Sequence, residues 1–463
     1  GGPVSLLRIS PFFAPLLLGA CASVVTPGAS DLVVSPETFS AIPSEMDASA
    51  SDWVAAFEDP ILQALVSEAL DANPTVAAAL ANYDAAQAGA RVSGAARLPS
   101  LDASGGYTDQ TPGNTGWSSG LEASWQADVW GRLSDQARSG ALTADAARAD
   151  WYGARLSIAA SVARSWYALI GASQQAALAQ ADVEARTNQL EIVERRFQRG
   201  VVRSSDVRTA RSALASSEAT LASRQRAVSN AARALEVNLG RYPSAQILPA
   251  EDLPTLGALP NPGRPEAMLA RRPDVVAAQA RLAAAGYSAS AAQKALYPGL
   301  SLRASLGDGG ADLADALDFD DLVRTVAGSI TAPIFQGGRL RAQRDQADAQ
   351  AEQLSARLVS TALTALREAE DAIEADRRLD QRVAALTVAA DEAREALALV
   401  ERQYASGLST IFELIDAQTR QISAQSQLIT ARNDRVDNRI ALHLAIAGDF
   451  RAGGGVTASN IDN

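Results

Sequence analysis

The sequence predicts a mainly α-helical fold with a membrane β-barrel portion, and three observations predict it. The body of the chain is written twice, each copy holds one very long stretch without proline, and each copy holds two short stretches in which apolar and polar residues alternate. The repeat comes first, because overlooking it would mis-assign every element inside it. Pro74 recurs as Pro273 and Pro99 as Pro298, 199 residues on, whereas Gly131-Arg132-Leu133 recurs as Gly338-Arg339-Leu340 and Gly200 as Gly407, 207 residues on. The second copy has therefore gained eight residues between Pro298 and Gly338.

Each copy carries the same order of elements: a helix of moderate length, two strands, a very long helix, a short glycine turn and a return helix. In the first copy the moderate helix covers about 74–97. From Gly131 to about Gln198 there is no proline and glycines are isolated, so roughly 68 helical residues would extend ~100 Å at 1.5 Å per residue. The return helix covers about 204–239, and end to end with the moderate helix it nearly matches the long one. The spacing of apolar residues is heptad-like, Ala-rich and charged on more than one face, which suits a helical tube wetted inside and outside.

The strands follow from period-two alternation. Leu101, Ala103 and Tyr107 alternate with Asp102, Ser104 and Thr108, and Trp117, Leu121, Ala123, Trp125, Ala127 and Val129 alternate with Ser118, Glu122, Ser124, Gln126 and Asp128. In the second copy Leu300, Leu302, Ala304 and Leu306 alternate with Ser301, Arg303 and Ser305, and Val326, Gly328, Ile330 and Ala332 alternate with Thr325, Ser329 and Thr331. The strands are placed at about 100–108, 117–129, 299–307 and 323–334. A small sheet with one solvated face would also alternate; strands of about ten residues, the leader described below and flanking aromatics favour a barrel wall. Tyr107, Trp117, Trp125 and Trp130 are the candidate membrane-interface aromatics. Lipid tolerates no open sheet edge and single-chain barrels need about eight strands or more, so four strands per chain must close by oligomerisation. The extra residues fall in the acidic stretch GDGGADLADALDFDD, read as a hairpin tip facing the exterior.

Composition removes several functions. A net charge of −12 without an arginine-rich stripe argues against nucleic acid. One Cys and one His exclude an internal disulfide, thiolate zinc sites and multi-histidine metal sites, so no metal and no cofactor is expected. His443, in IALHLAIAG, reads as a packed helix residue rather than a ligand or base. Acidic residues are plentiful, yet no nucleophile–base pairing or phosphate loop stands out, so no catalytic residue is assigned and the chain is not read as an enzyme.

Residues 1–20, GGPVSLLRISPFFAPLLLGA, place Arg8 before a short apolar run and small residues, the layout of a secretory signal peptide, read with the motif that follows as a lipoprotein signal peptide. The run is too short to span a bilayer as a helix. Leu18-Gly19-Ala20-Cys21 resembles the bacterial lipobox, which implies cleavage before Cys21 and attachment of acyl chains, palmitate among them, to its residue. Each buried methylene contributes ~0.8 kcal/mol, so several chains anchor a protein to lipid almost permanently. Ala22, where Asp commonly marks inner-membrane retention, favours the outer membrane. Residues 21–50, rich in Pro, Ser and Ala, read as a lipid-anchored tether, 51–250 and 251–449 as the two repeats, and 450–463 as a flexible tail.

The motifs WVAAFEDPILQALVSEAL from Trp53, NPTVAAALANYDAAQAGARVSGAARLPSL from Asn73, DVWGRLSDQAR from Asp128, RRPDVVAAQARLAAAGYSASAAQKALYPGLSL from Arg271 and PIFQGGRL from Pro333 together resemble the TolC-like outer-membrane efflux proteins, in particular their NodT-type lipoprotein branch. The resemblance covers nearly the whole mature chain. It implies a homotrimer with a twelve-stranded barrel in outer-membrane lipid and a long periplasmic coiled-coil tunnel, serving RND-type tripartite pumps. It also implies two protein partners, a periplasmic adaptor (membrane fusion protein) and an inner-membrane transporter, with small molecules such as drugs conducted passively to the exterior.

The glycine turns FQRGVVRSSDVRTA and YASGLSTIFELIDAQ end the long helices. Gly200 and Gly407 suit a left-handed helix-ending conformation, and the Ser and Thr residues after them suit capping of the return helices. Phe412 and Asp416 are four apart, on one helical face beside Glu413. The resemblance implies a periplasmic gate at Ser205, Asp206, Tyr404, Glu413 and Asp416, to which Phe412 would add an apolar constriction, and adaptor contacts at Gly200, Val201, Gly407 and Leu408. A threefold ring of Asp416 would favour cations at rest. Ser409 stands where some relatives have Arg, which moves closure toward Tyr404 and Phe412. Alternative readings are a duct for type I protein secretion or metal-ion efflux, the latter disfavoured by two Met and one His, and a purely structural coiled-coil envelope lipoprotein, which needs no barrel wall.

Overall fold

The computed structural model describes residues 32–33, 36–41, 53–110, 112–113, 115–310, 312 and 323–446. The signal peptide, Cys21, the tail and most of the acidic loop after Gly310 lie outside the described residues. In chain order the elements are α1 (Pro60–Ala72), α2 (Pro74–Ala95), β1 (Ser100–Thr108), β2 (Gly116–Ala127), α3 (Arg132–Gln198) and α4 (Ser204–Asn238), then α5 (Pro265–Arg271), α6 (Pro273–Lys294), β3 (Gly299–Gly310), β4 (Val323–Thr331), α7 (Arg339–Ala405) and α8 (Ile411–Ala445). The two copies match in length element by element: α2 and α6 have 22 residues, α3 and α7 have 67, α4 and α8 have 35. The chain divides into two compact units, one of Asp84–Ala146 with Ala278–Leu358 and one drawn from the remainder of the described residues.

The first unit holds an antiparallel sheet in the order β1-β2-β3-β4. Its register sorts the side chains into two faces. Leu101 pairs with Ala123, Ala103 with Leu121, Leu121 with Leu306, Trp125 with Leu302, Leu300 with Ile330 and Ala304 with Val326, which collects most apolar residues of the four strands on one side; at the start of β4 the pattern is reversed, Arg324 pairing with Leu306 on that side and Val323 falling on the other. The opposite side is polar and internally bonded: Ser100 meets Ser124 at 2.9 Å, Ser301 meets Ser329 at 2.7 Å and Arg303 meets Glu122 at 2.9 Å. β3 runs to Gly310, three residues beyond the alternation, because Asp308, Gly309 and Gly310 pair with Ser119, Ser118 and Trp117. The start of the acidic stretch is thus strand rather than hairpin tip. The lack of side chains is what permits it: a Cβ on Gly307 would meet the Ser119 carbonyl oxygen at 2.7 Å. β4 ends at Thr331, short of 334, since Ala332-Pro333 leaves no donor to continue the ladder at the proline.

The aromatics fall at the two ends of the strands. Tyr107 and Trp117 are register partners with ring centroids 5.1 Å apart at one end. At the other, Trp125 donates its indole N–H to Arg97 O (2.9 Å) and Trp130 donates to Pro298 O (2.8 Å) while packing on Tyr297. Trp117 and Trp125 are eight residues apart on one strand, ~27 Å at 3.4 Å per residue. The start of α3 is set by Asp128, whose carboxylate accepts from Leu133 N and Ser134 N at 2.9 and 2.7 Å. One turn on, the buried Asp135 accepts from Lys294 Nζ (2.5 Å) and Ser290 Oγ (2.6 Å), joining α6 to α3.

In the second unit the core gathers Trp53, Phe57, Leu62, Trp166, Tyr167, Ile170, Leu235 and Ile440. Asp59 organises it: one carboxylate oxygen caps α1 by accepting from Ile61 N and Leu62 N, both at 3.0 Å, and the other accepts from Trp166 Nε1 at 2.8 Å. Burial, with the Asp59 carboxylate beside it, pushes the Tyr167 phenol far above its ordinary range. His443 is buried and stacks on Trp53 with ring centroids 5.9 Å apart; burial, with the Arg439 charge, lowers its pKa to about 4. Residues 36–41 lie in the stretch read as a tether with no role beyond reach. Phe39 is 2% exposed, and Ser40 N and Ala41 N donate to the two Glu370 oxygens at 2.7 and 3.1 Å, so this part is docked on α7.

Candidate functional site at the paired helix turns

The turns after α3 and α7 are built alike. Gly200 and Gly407 adopt φ of +72° and +79°, where a side chain is disfavoured. Each turn closes by the same two bonds: Gly200 N to Phe197 O and Val201 N to Arg196 O at 2.9 Å each, and Gly407 N to Tyr404 O (3.2 Å) and Leu408 N to Gln403 O (2.8 Å). This double closure satisfies the last helical carbonyls. It also leaves the following residue outward, Val201 being 68% and Leu408 83% exposed.

The return helices start by the same device with different chemistry. At α8, Thr410 Oγ1 accepts from Glu413 N (3.3 Å) while Glu413 accepts from Thr410 N (2.7 Å), a reciprocal capping box joined by Ser409 Oγ at 2.7 Å. These bonds from Thr410 and Ser409 hold the Glu413 carboxyl below its usual range. At α4 the capping position is Arg203, not one of the serines expected there; Asp206 still reaches back to accept from Arg203 N at 3.1 Å, and Ser205 Oγ donates to Asp206 at 3.2 Å. Asp206 and Glu413 are thus the same residue of the repeat, and both carboxylates are engaged in ending a helix.

The remaining sequence-assigned residues divide by burial. Tyr404 is 8% exposed and packs with Val193, Val207, Ala210, Ile411 and Leu414 in a small core between the turns. Its hydroxyl has no hydrogen-bond partner among the described residues, and burial raises its pKa. Arg196, unremarked in the sequence, lies over the Tyr404 ring at 4.7 Å and donates to Tyr404 O (3.3 Å) and Ala405 O (3.2 Å), clamping one turn to the other. The basic residue at a helix C-terminus was the available signal. Phe412 is 61% exposed, outside that core. Asp416 is exposed and paired with Arg420 at 2.7 Å, four residues on.

Behind the turns, α3 and α8 meet along a polar seam that alternation of apolar residues does not reveal. Gln175 bonds to Ser426 O and Ser426 Oγ, both at 2.8 Å, and Arg186 holds Asp182 at 2.9 Å and reaches Thr419. Gln189 and Gln418 are buried with side-chain atoms that lack partners among the described residues. No group of three or more potential metal-ligating side chains occurs among the described residues, and no described helix is long and apolar enough to cross a membrane.

Comparison with known proteins is consistent across sequence and structure. The outer membrane efflux protein family model matches residues 65–241 and 265–448. The pyoverdine export outer membrane protein OpmQ of Pseudomonas aeruginosa is 30% identical over 97% of this chain and 98% of its own, and the outer membrane protein OprJ of the same organism is 29% identical over 96% of each. The solved outer-membrane channel OprN superposes with a TM-score of 0.82 at 25% identity, covering 92% of this chain and all of its own, and VceC of Vibrio cholerae with 0.79 at 26%, covering 87% of this chain. The TolC-like fold, the outer-membrane location and the absence of an enzymatic role are therefore those of the relatives. The chain belongs to the outer membrane efflux protein family and is the outer-membrane channel of an efflux system.

Proposed function

We propose that three copies of this chain form the exit duct of a tripartite pump that carries small organic molecules, drugs and solvents among them, to the exterior. The observation that carries this reading is the four-stranded sheet, apolar on one face and polar on the other, with β1 and β4 each lacking a second neighbour in it. A sheet edge in hydrocarbon leaves backbone groups unpaired at several kcal/mol each, so β1 of one copy pairs with β4 of the next until twelve strands close. The apolar face meets lipid, with Tyr107 and Trp117 at one interface and Trp125 and Trp130 at the other. Cys21 carries the lipid anchor, 21–50 joins it to the body as a tether that docks on α7 at 36–41, and 51–250 and 251–449 are the two structural repeats. Relatives are named for pyoverdine export, toluene efflux and antibiotic efflux, which supports an organic cargo here. A periplasmic adaptor and an inner-membrane transporter complete the assembly.

The turns form the periplasmic gate and adaptor surface. Phe412 supplies the apolar constriction, Tyr404 holds the two turns together through the core they share, Asp416 forms a threefold acidic ring, and Ser205, Asp206 and Glu413 fix the helix starts beside it; Gly200, Val201, Gly407 and Leu408 face the adaptor. Single-channel conductance in a planar bilayer tests this, comparing wild type with Asp416→Ala combined with Tyr404→Phe. Larger openings with weaker cation preference are expected. A folded assembly of twelve strands that never conducts in either form would refute the duct, and identical conductance and selectivity would refute the gate.

A further inference from the structure

The two turns share a backbone and differ in charge. At the first, Arg199, Arg203 and Arg208 are exposed, and no guanidinium of the three has a partner among the described residues. Their neighbours are engaged: Arg195 with Glu191 at 3.6 Å, Arg211 with Glu194 at 2.7 Å, and Arg196 with the carbonyls of the second turn. The repeat supplies an internal control, because the matching positions of the second copy are Ser406, Thr410 and Ile415 in the same geometry. Turn formation is therefore not what requires the arginines. At position 203 an arginine works against it: Thr410 caps α8 with its hydroxyl, whereas a guanidinium has no acceptor to offer and sits at the positive end of the α4 dipole. Among these three cations stand the exposed Val201 and the half-exposed Phe197.

Taking the turns as the partner-contact surface, as proposed above, we infer that the first turn docks an acidic protein surface: carboxylates at the tip of the periplasmic partner engage Arg199, Arg203 and Arg208 around an apolar contact at Val201, while the second turn, with Leu408, is read by apolar contact alone. Guanidinium forks match carboxylates in bidentate geometry. An anionic membrane is the poorer occupant, since three cations on a chain of net charge −12 give little attraction to an extended negative surface. The partner thus meets two chemically distinct docking points that alternate around the assembly, and charge fixes which of its contacts falls on which.

The test transplants the sister turn. A variant with Arg199→Ser, Arg203→Thr and Arg208→Ile is expected to fold at least as well as wild type, to conduct normally in bilayers, and to lower dye efflux from cells of the native host on the order of tenfold, because rim charges act mainly through association rate. Changing the three to Glu is expected to abolish efflux, with suppressors arising as Asp or Glu to Lys or Arg changes in the partner protein. Undiminished efflux in both variants overturns the inference. So do suppressors at Glu413 or Asp416 of this chain, which would place the contact between copies, and arginine-dependent binding to phosphatidylglycerol vesicles, which would make the occupant lipid. Leu408→Asp separates the premises: if it leaves efflux intact the contact surface itself is wrong, whereas loss of efflux in Leu408→Asp with silent arginine variants refutes only the charge reading.

Discussion

Replacing Lys294 by Ala is expected to destabilise the channel strongly, and replacing Asp135 as well is expected to restore most of the loss. The Asp135 side chain is 3% exposed and accepts from Lys294 at 2.5 Å and Ser290 at 2.6 Å, with Arg138 no closer than 3.8 Å. Removing one partner of a buried pair costs about 3–5 kcal/mol, because the other charge is left buried and uncompensated. Lys294 retains 22% side-chain exposure and the Ser290 bond survives, so the lower part of that range, ~3 kcal/mol, is expected for Lys294→Ala. The positions matching Lys294 and Asp135 in the repeat are Ala95 and Ala342, so the same two helix types accept small uncharged residues at both places. Lys294→Ala with Asp135→Ala should therefore lie within about 1 kcal/mol of wild type, a coupling of roughly 2 kcal/mol or more. Denaturant unfolding of the detergent-purified protein, followed by tryptophan fluorescence, measures it. A double variant as unstable as the sum of the singles would refute the reasoning.

Other consequences are open to the same measurements. Because His443 is held neutral with a pKa near 4 against an unfolded value near 6.5, the unfolded chain takes up the proton first as pH falls; stability should decline from pH 6.5 to 4, by up to about 3 kcal/mol, and His443→Phe should flatten that decline in a pH series of melting curves. Tyr404→Phe should be neutral or stabilising by ~1 kcal/mol in unfolding experiments, since it removes a buried hydroxyl without a partner and restores the Phe197 of the first copy; a marked loss would show that the hydroxyl is bonded. Gly240→Ala should be clearly worse than Gly407→Ala. Both have positive φ, which costs ~1 kcal/mol, but only at Gly240 would the Cβ meet backbone, the Ala72 oxygen at 2.8 Å; equal melting points would discount the contact.

Much of the fold was legible because its signals are periodic. Alternation placed β1 within its observed bounds, and proline-free length placed α3 nearly to the residue. Pairing was not legible: nothing in the sequence places Asp308–Gly310 in a ladder with Trp117–Ser119, since glycine has no side chain to alternate. Glu413 was read as charge beside a constriction, and its geometry is that of a cap, a role visible only once the turn is known to begin at Thr410. The clamp of Arg196 on Tyr404 joins residues 208 apart, beyond any local pattern. The chemistry of the solitary lysine was likewise hidden, because a single Lys on an Ala-rich helix carries no period.

The internal repeat turns the chain into its own comparison series. Where both copies need the same backbone, they keep the same device: glycine with positive φ at 200 and 407, and a carboxylate reaching back to the helix start from 206 and 413. Where the copies diverge in identical geometry, folding cannot be the cause, and the divergence marks what each copy does separately. Arg203 against Thr410, Ser205 against Phe412 and Thr209 against Asp416 all lie within two turns of one helix start, and each places charge or apolar surface on one copy only. In the trimer proposed above, two unlike hairpins per chain present alternating surfaces around the entrance. Under that proposal Phe412 and Asp416 put apolar and acidic surface at the constriction on the second copy, and the arginine cluster puts the charged docking contact on the first.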